Sequence, residues 1–258
     1  MKLRSTFGTV LAAAAGVLGM AAGPATAATV SPSLPLAAAH TAGANTTAPK
    51  APALTTAFSA TSVGYGTWVT VTVHLGATAT NRNVTLYARN WGNGATFVAG
   101  SGTVNSAGNL VVRYWDAQTR TFWANFSGDA SDAAVNTAGV AVHVASAVSA
   151  ANVQAYGHAP WAGNSVALYH KGATAYLDAK VTPNEANQDV TVNVQVYYQN
   201  KWVEANTPQK FALDANSELG VKFTNWTSGY VFRTQVSYAG NLANGASSSA
   251  WQYWTLKN

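Results

Sequence analysis

The chain has 258 residues, 14 of them Lys or Arg and 9 Asp or Glu; charged residues make up 9%, against the roughly 25% usual for soluble domains, and apolar residues 48%. Low charge beside so much apolar material argues against charge-driven disorder, and the scarcity of Glu, Lys and Leu argues against coiled coils and helical bundles. The absence of Cys excludes a disulfide scaffold, a thiol nucleophile, a thiolate zinc site and a lipid-modified cysteine.

Residues 1–27 combine a basic start (Lys2, Arg4), an uncharged apolar run from Thr9 to Ala22 and a small-residue end, Ala25-Thr26-Ala27. This pattern predicts a secretory signal peptide, hence a secreted, extracellular product. The run is too short and too interrupted by Gly16, Gly19, Gly23 and Pro24 for a membrane span. Its removal would take both methionines, Met1 and Met20, and two of the fourteen basic residues, leaving a net charge of +3 and no sulfur. No membrane span is expected after that removal. Residues 28–56, rich in Ala, Thr, Ser and Pro, cannot bury enough apolar area to offset the ordering cost of about 1–2 kcal/mol per residue, and read as a disordered linker.

Beyond the linker, alternation with period two dominates. It is clearest in Trp68-Val69-Thr70-Val71-Thr72-Val73, Val84-Thr85-Leu86-Tyr87, Val140-Ala141-Val142-His143-Val144 and Val190-Thr191-Val192-Asn193-Val194-Gln195-Val196. Such runs, rich in β-branched residues and bounded by Gly, Asn, Ser and Asp, predict half-buried strands. The chain also matches itself. Gly66-Thr67-Trp68-Val69 aligns with Gly172-Ala173-Thr174-Ala175, Asn83-Val84-Thr85-Leu86 with Asp189-Val190-Thr191-Val192, and Phe126-Ser127-Gly128-Asp129 with Tyr238-Ala239-Gly240-Asn241. The expected architecture is all-β: two tandem immunoglobulin-like β-sandwiches, 57–147 and 148–258, each of the ~100-residue size typical of such a unit.

The pieces Ser62-Val63-Gly64-Tyr65-Gly66-Thr67-Trp68-Val69, Val84-Thr85-Leu86-Tyr87-Ala88-Arg89, Asn105-Ser106-Ala107-Gly108-Asn109-Leu110 and Thr121-Phe122-Trp123-Ala124-Asn125-Phe126-Ser127-Gly128-Asp129 resemble, in order and spacing, the bacterial immunoglobulin-like repeat domains of secreted actinobacterial proteins. In the second half Thr234 stands where that family usually has an aromatic residue, and Asn241 where it has Asp. The resemblance implies a fold more than an activity, because one sandwich hosts many functions.

Chemistry-bearing residues are few. The acids Asp116, Asp129, Asp132, Asp178, Glu185, Asp189, Glu204, Asp214 and Glu218 fall mostly at predicted turns, where a solvated carboxylate is expected. Asp129 and Asp132 could cap a turn or help hold Ca²⁺, but too few neighbouring oxygens are in view, so no metal is expected. The histidines His40, His74, His143, His158 and His170 are scattered, with His158 and His170 flanking Pro160-Trp161 in an expected loop. No nucleophile elbow, phosphate loop or dinucleotide fingerprint occurs, so neither an enzyme nor a cofactor is expected. An enzyme would need His158 or His170 beside a Ser and an acid.

The informative residues are aromatic side chains on the outward positions of strands. With Val84, Leu86 and Ala88 inward, Tyr87 and Arg89 face out; with Phe122, Ala124 and Phe126 inward, Trp123 and Asn125 face out, and His143 joins them from the last strand of the half. The same register in the second half turns Val190, Val192, Val194, Val196 and Tyr198 inward and Asn193, Gln195 and Tyr197 outward. Thr234, Val236 and Tyr238 then face in and Arg233 faces out, while Trp254 and Leu256 are buried and Trp251 and Tyr253 exposed. Trp68, Phe122, Phe126 and Trp254 are assigned to cores. The nine candidate ligand-binding residues are therefore Tyr87, Arg89, Trp123, Asn125, Gln195, Tyr197, Arg233, Trp251 and Tyr253.

Flat rings interleaved with amide and guanidinium groups suit a polysaccharide or cell-envelope polymer, because rings cover the C–H faces of sugars while the polar groups bond their hydroxyls. The same composition suits an extracellular protein partner, an enzyme for an inhibitor included, and a featureless face would suit a structural spacer. The thin positive charge, without a Lys/Arg run, does not suit nucleic acid.

Overall fold

The computed structural model describes residues 48–91 and 94–257, so the expected signal peptide and residues 28–47 of the expected linker lie outside the described residues. No helix occurs among them, and residues 49–258 belong to one compact unit. The first half contains β1 (Leu54–Phe58), β2 (Ser62–Gly64), β3 (Thr67–Leu75), β4 (Asn83–Asn90), β5 (Thr96–Thr103), β6 (Asn109–Asp116), β7 (Arg120–Phe126), β8 (Val135–Asn136) and β9 (Val140–Ala145). In the second half follow β10 (Ala147–Val153), β11 (Gly157–Trp161), β12 (Asn164–His170), β13 (Ala175–Thr182), β14 (Asp189–Tyr198), β15 (Lys201–Glu204), β16 (Gln209–Ala212), β17 (Glu218–Phe223), β18 (Val231–Gly240), β19 (Gly245–Ser248) and β20 (Gln252–Lys257).

Each half is two sheets closed over one core. In the first, the sheet β1-β3-β6 lies against β5-β4-β7-β9, and the short β2 pairs in parallel with β9. Alternation explains the filling. Val69, Val71, Val73 and Leu75 of β3 meet Val84, Leu86 and Ala88 of β4 and Phe122, Ala124 and Phe126 of β7, and all are buried. The second half repeats the plan, with β10-β13-β17 facing a sheet of β14, β18, β20, β12 and β11, in which β12 pairs in parallel with the last strand, β20. Its core contains an aromatic cluster. Trp254 stacks between Phe223 (ring centroids 5.0 Å) and Phe232 (4.5 Å), with Trp226 edge-on at 5.5 Å. The Trp254 indole N–H donates to Thr234 Oγ1 at 3.0 Å, which gives the buried polar group its partner and Thr234 its place in the core. Burial of side chains of this size, each contributing about 1.5–3 kcal/mol, does the work that disulfides do in other small sandwiches.

The halves are joined by backbone. Gly245 of β19 bridges Ala145 of β9 in parallel, and Ser146 N–H donates to Gly245 O (3.0 Å). Thr119 N–H donates to Ala243 O (2.7 Å), and Asn244 Nδ2 to Ala117 O (3.0 Å).

Several expectations change. Strand β1 begins at Leu54, inside the stretch 28–56 read as linker, because Leu54 and Phe58 pack on the first core and all five β1 residues pair with β3. Trp68 is not core: it is 56% exposed, since Val69, Val71 and Val73 take the inward positions and strict alternation sends Trp68 out. Tyr198 does not continue the inward row of β14; it is 45% exposed at the strand end, next to a turn in which Gln199 (φ 48°) and Asn200 (φ 60°) are left-handed. The segment around Pro160-Trp161 is a hairpin, β11–β12, closed by Ala162 (φ 46°) and Gly163 (φ 78°), with Pro160 on its outer edge strand. Two acids expected at solvated turns are buried. Asp116 is held by Arg120, and Glu185 by Tyr238 and Asn241.

A candidate ligand face on the second sheet of each half

On the second half, the outward positions of four adjacent strands form a row. Register places Glu204 of β15 opposite Gln195 of β14, Gln195 opposite Arg233 of β18, and Arg233 opposite Tyr253 of β20. The row is bonded across the strands: Arg233 Nε and Nη2 donate to Gln195 Oε1 (2.8 and 2.6 Å), and Gln195 Nε2 donates to Glu204 Oε1 (2.8 Å). Asn193 Nδ2 reaches the same carboxylate oxygen at 3.3 Å.

Rings stand on both sides of this row. The Arg233 guanidinium lies 4.3 Å from the ring centre of Trp202 and 4.2 Å from that of Trp251, clamped between two indoles in a geometry favourable for cation–π attraction. Trp161, at the end of β11, packs edge-on against Tyr197 (4.9 Å) and Trp202 (5.6 Å), and Tyr253 lies 5.8 Å from Trp202. All of these rings are half-buried, so each remains partly at the surface.

Five candidates from the sequence, Gln195, Tyr197, Arg233, Trp251 and Tyr253, therefore come together in one place. Trp251 reaches it from the residue before β20 rather than from within the strand. Sequence reasoning missed Trp161, Trp202 and the role of Glu204. The signal for Trp202 was the Gln199-Asn200 pair: Asn tolerates a left-handed conformation, and a two-residue turn there puts Trp202 opposite Tyr197. Gly163 carried the same signal for Trp161.

On the first half the remaining four candidates share one outer face of β4 and β7. Tyr87 is paired with Trp123 and stacked on it (5.7 Å, 19°), Thr85 lies opposite Asn125, and Arg89 opposite Thr121. Asn125 Nδ2 donates to Asn136 Oδ1 at 2.9 Å. His143 is exposed on β9, 6.5 Å from Trp91. This face is smaller, and its cation, Arg89, is exposed and makes no ion pair among the described residues.

What the geometry offers is ring surfaces interleaved with amide, guanidinium and carboxylate groups. Among the described residues no three of His, Cys, Asp and Glu gather as metal ligands. His170 stacks on Tyr156 (4.3 Å), and His158 lines an open depression with Ala159, Pro160, Gly163, Asn164 and Ser165. Asp129 and Asp132 serve turns: Asp129 Oδ2 accepts from the N–H groups of Thr80 and Asn81, both at 2.9 Å, and Asp132 Oδ2 from Ala79 N–H at 2.7 Å. The N–H donors of Asn81, Ser131, Thr80 and Asp132 hold the Asp129 carboxyl well below the usual carboxylate range.

The chain matches no protein-family model, and no curated protein matches it. Among solved structures it is similar to a marsupial T cell receptor, with a TM-score of 0.30 and 8% identity, covering 80% of this chain and 73% of that one.

Proposed function

We propose that this is a secreted, extracellular binding or adhesion protein without catalytic activity, made of two tandem immunoglobulin-like sandwiches. It recognises a polysaccharide or another cell-envelope polymer through its aromatic and polar outer faces. Support for the fold comes from the two-sheet plan of each half and the parallel pairing of an early strand with the last one, β2 with β9 and β12 with β20. Support for secretion is the composition of residues 1–27.

The observation that carries the binding reading is the clamp of Arg233 between Trp202 and Trp251. A guanidinium packed between the two indoles and tied to Gln195 holds them apart at a fixed spacing, with Tyr197, Tyr253 and Trp161 around them. A rigid ring array of this kind meets the apolar faces of successive sugars with little ordering cost on the protein's side.

The test is retention of the protein on a panel of insoluble polysaccharides and purified cell walls, with Trp251→Ala and Trp202→Ala beside the parent. At least one solid should retain the parent and release both variants, while their melting temperatures stay within a few degrees of it. Retention on no solid, or retention indifferent to both indoles, would refute the reading.

A further inference from the structure

The opposite sheet of the first half carries a second exposed aromatic face, with a different chemistry. Its outward positions are Thr55 and Ala57 on β1, Trp68, Thr70, Thr72 and His74 on β3, and Asn109, Val111, Arg113 and Trp115 on β6. Trp68 and Trp115 are directly opposed across the strand pair, and both are open to solvent, 56% and 42% exposed. Behind them, Tyr65 braces Trp115 edge-on at 5.7 Å, and the Trp115 ring lies over Gly66, where an added Cβ would come to 3.5 Å from its Nε1. The Arg113 guanidinium lies 5.4 Å from the centre of the Trp68 ring and makes no ion pair among the described residues. His74 is occupied by Asn109 (2.8 Å). Asp116, the acid on β6, is buried on the inner side against Arg120.

This surface is therefore a pair of exposed indoles beside short Thr, Ala and Val side chains, with one formal charge, positive, lacking a counter-ion. The matching sheet of the second half differs: Tyr176, Asp178 and Lys180 stand opposite Lys222, Gly220 and Glu218, and Lys180 pairs with Glu218 at 2.8 Å, so its charges are balanced. From the charge left open beside the rings we propose that the Trp68–Arg113–Trp115 face is a binding site for acidic polysaccharide, the indoles taking the C–H face of a sugar and Arg113 its carboxylate. A second copy of the chain fits this face poorly. A twofold contact would bury two guanidinium groups with no acid among the outward side chains to meet them, a desolvation cost without return. The site shares no residue with the Arg233 clamp.

The test is affinity electrophoresis of the protein in gels containing polygalacturonate, neutral dextran or polyglutamate. Polygalacturonate should retard the protein, less so with added salt, and more than either other polymer does. Arg113→Gln and Trp68→Ala should each weaken that retardation by at least about tenfold in polymer concentration, with Arg113→Lys intermediate because it keeps the charge and loses the fork. Trp251→Ala should leave it unchanged. The proposal is overturned if polygalacturonate does not retard the parent, if Arg113→Gln runs like the parent, or if polyglutamate retards equally and Trp68→Ala has no effect, which would be plain charge attraction. Sedimentation showing a dimer that Trp68→Ala dissolves would also overturn it, in favour of self-association. Loss of polygalacturonate binding beside Trp251-dependent retention on a neutral solid would sink this site alone. The converse result would sink the Arg233 face alone.

Discussion

Asp129 and Asn241, 112 positions apart, close equivalent turns with the same two hydrogen bonds. Asp129 Oδ1 accepts from the N–H groups of Ser131 and Asp132, both at 2.8 Å, and Asn241 Oδ1 from those of Ala243 (2.7 Å) and Asn244 (2.8 Å). The glycine before each is left-handed, Gly128 at φ 81° and Gly240 at φ 83°. Their outer atoms diverge: Asp129 Oδ2 gathers N–H donors, whereas Asn241 Nδ2 donates to Glu185 Oε2 at 2.6 Å. A carboxylate suits the first position and an amide the second.

Substitution Asn241→Asp should therefore destabilise the protein although it keeps the turn. It removes a donor from Glu185 and sets two carboxylates against each other beside Tyr238, at a cost on the order of 2 kcal/mol near neutral pH. The deficit should shrink as the pH falls through the carboxylate range and one of the pair is protonated. Urea denaturation of both proteins at several pH values measures it; a deficit independent of pH would contradict the explanation.

Glu185 in the parent also fixes a pH dependence. Burial raises its pKa, and hydrogen bonds from Tyr238 and Asn241 only partly offset that. Because the folded value lies above the unfolded one, its contribution to stability is fully present below the ordinary Glu pKa and is lost as the pH rises through the raised folded value. Glu185→Gln should flatten the stability profile across that window, as read from melting temperatures over the acid range. For Asp129 the sign is opposite. Its lowered pKa means support that is present above the ordinary Asp value and lost as the pH drops below it.

Two glycines are expected to resist replacement. A Cβ on Gly240 would come to 2.6 Å from the Ala246 amide nitrogen, and one on Gly128 to 2.8 Å from the Ala134 amide nitrogen and Asp132 O, in addition to the left-handed strain. Gly240→Ala and Gly128→Ala should each cost about 1–3 kcal/mol by chemical denaturation. Gly163→Ala, also left-handed but with nothing within 4 Å, should cost less than either.

The tryptophans should divide by position. Trp254→Ala removes a fully buried ring from between Phe223 and Phe232, leaves the Thr234 hydroxyl unpaired, and should cost about 3–5 kcal/mol. Trp68→Ala should stay within about 0.5 kcal/mol, since the side chain is at the surface. Equal losses would contradict the assignment of faces.

Arg233→Lys tests whether the clamp depends on shape or on charge. Lys retains the charge but cannot give two parallel donors to Gln195 or lie flat between two rings. Retention on the polysaccharide held by the parent should fall about tenfold or more with the net charge unchanged; full retention would make the clamp irrelevant to binding.

Which faces are buried was legible wherever alternation ran long. Apolar residues at every second position marked β3, β4, β7, β9, β14 and β18, and with them the outward rank of Tyr87, Trp123, Gln195 and Arg233. Trp68 was misassigned because ring size was weighed above the alternation in which it sits. Trp161 and Trp202 were invisible for another reason: both lie on short strands whose partner register is set by two-residue turns, Ala162-Gly163 and Gln199-Asn200, rather than by a hydrophobic pattern. Trp251 lies just outside β20, and its direction was read only by extending the alternation of Trp254 and Leu256 back past the strand's start. The burial of Asp116 and Glu185 was not legible: the partner of Asp116, Arg120, is only four residues on, but the burial that desolvates its carboxyl comes from the fold, and the partners of Glu185, Tyr238 and Asn241, lie far along the chain.

The bridge between Gly245 and Ala145 gives the molecule a built-in pitch. The ring arrays on β4–β7 and on β14–β18–β20 belong to strands of one continuous hydrogen-bonded sheet, so the step between them is counted in backbone ladders and does not vary with the reach of a tether. A flexible pair of modules accepts any spacing between its two footholds; on the binding role proposed above, this one takes a polymer whose repeat is in phase with the step and slips on one that is not.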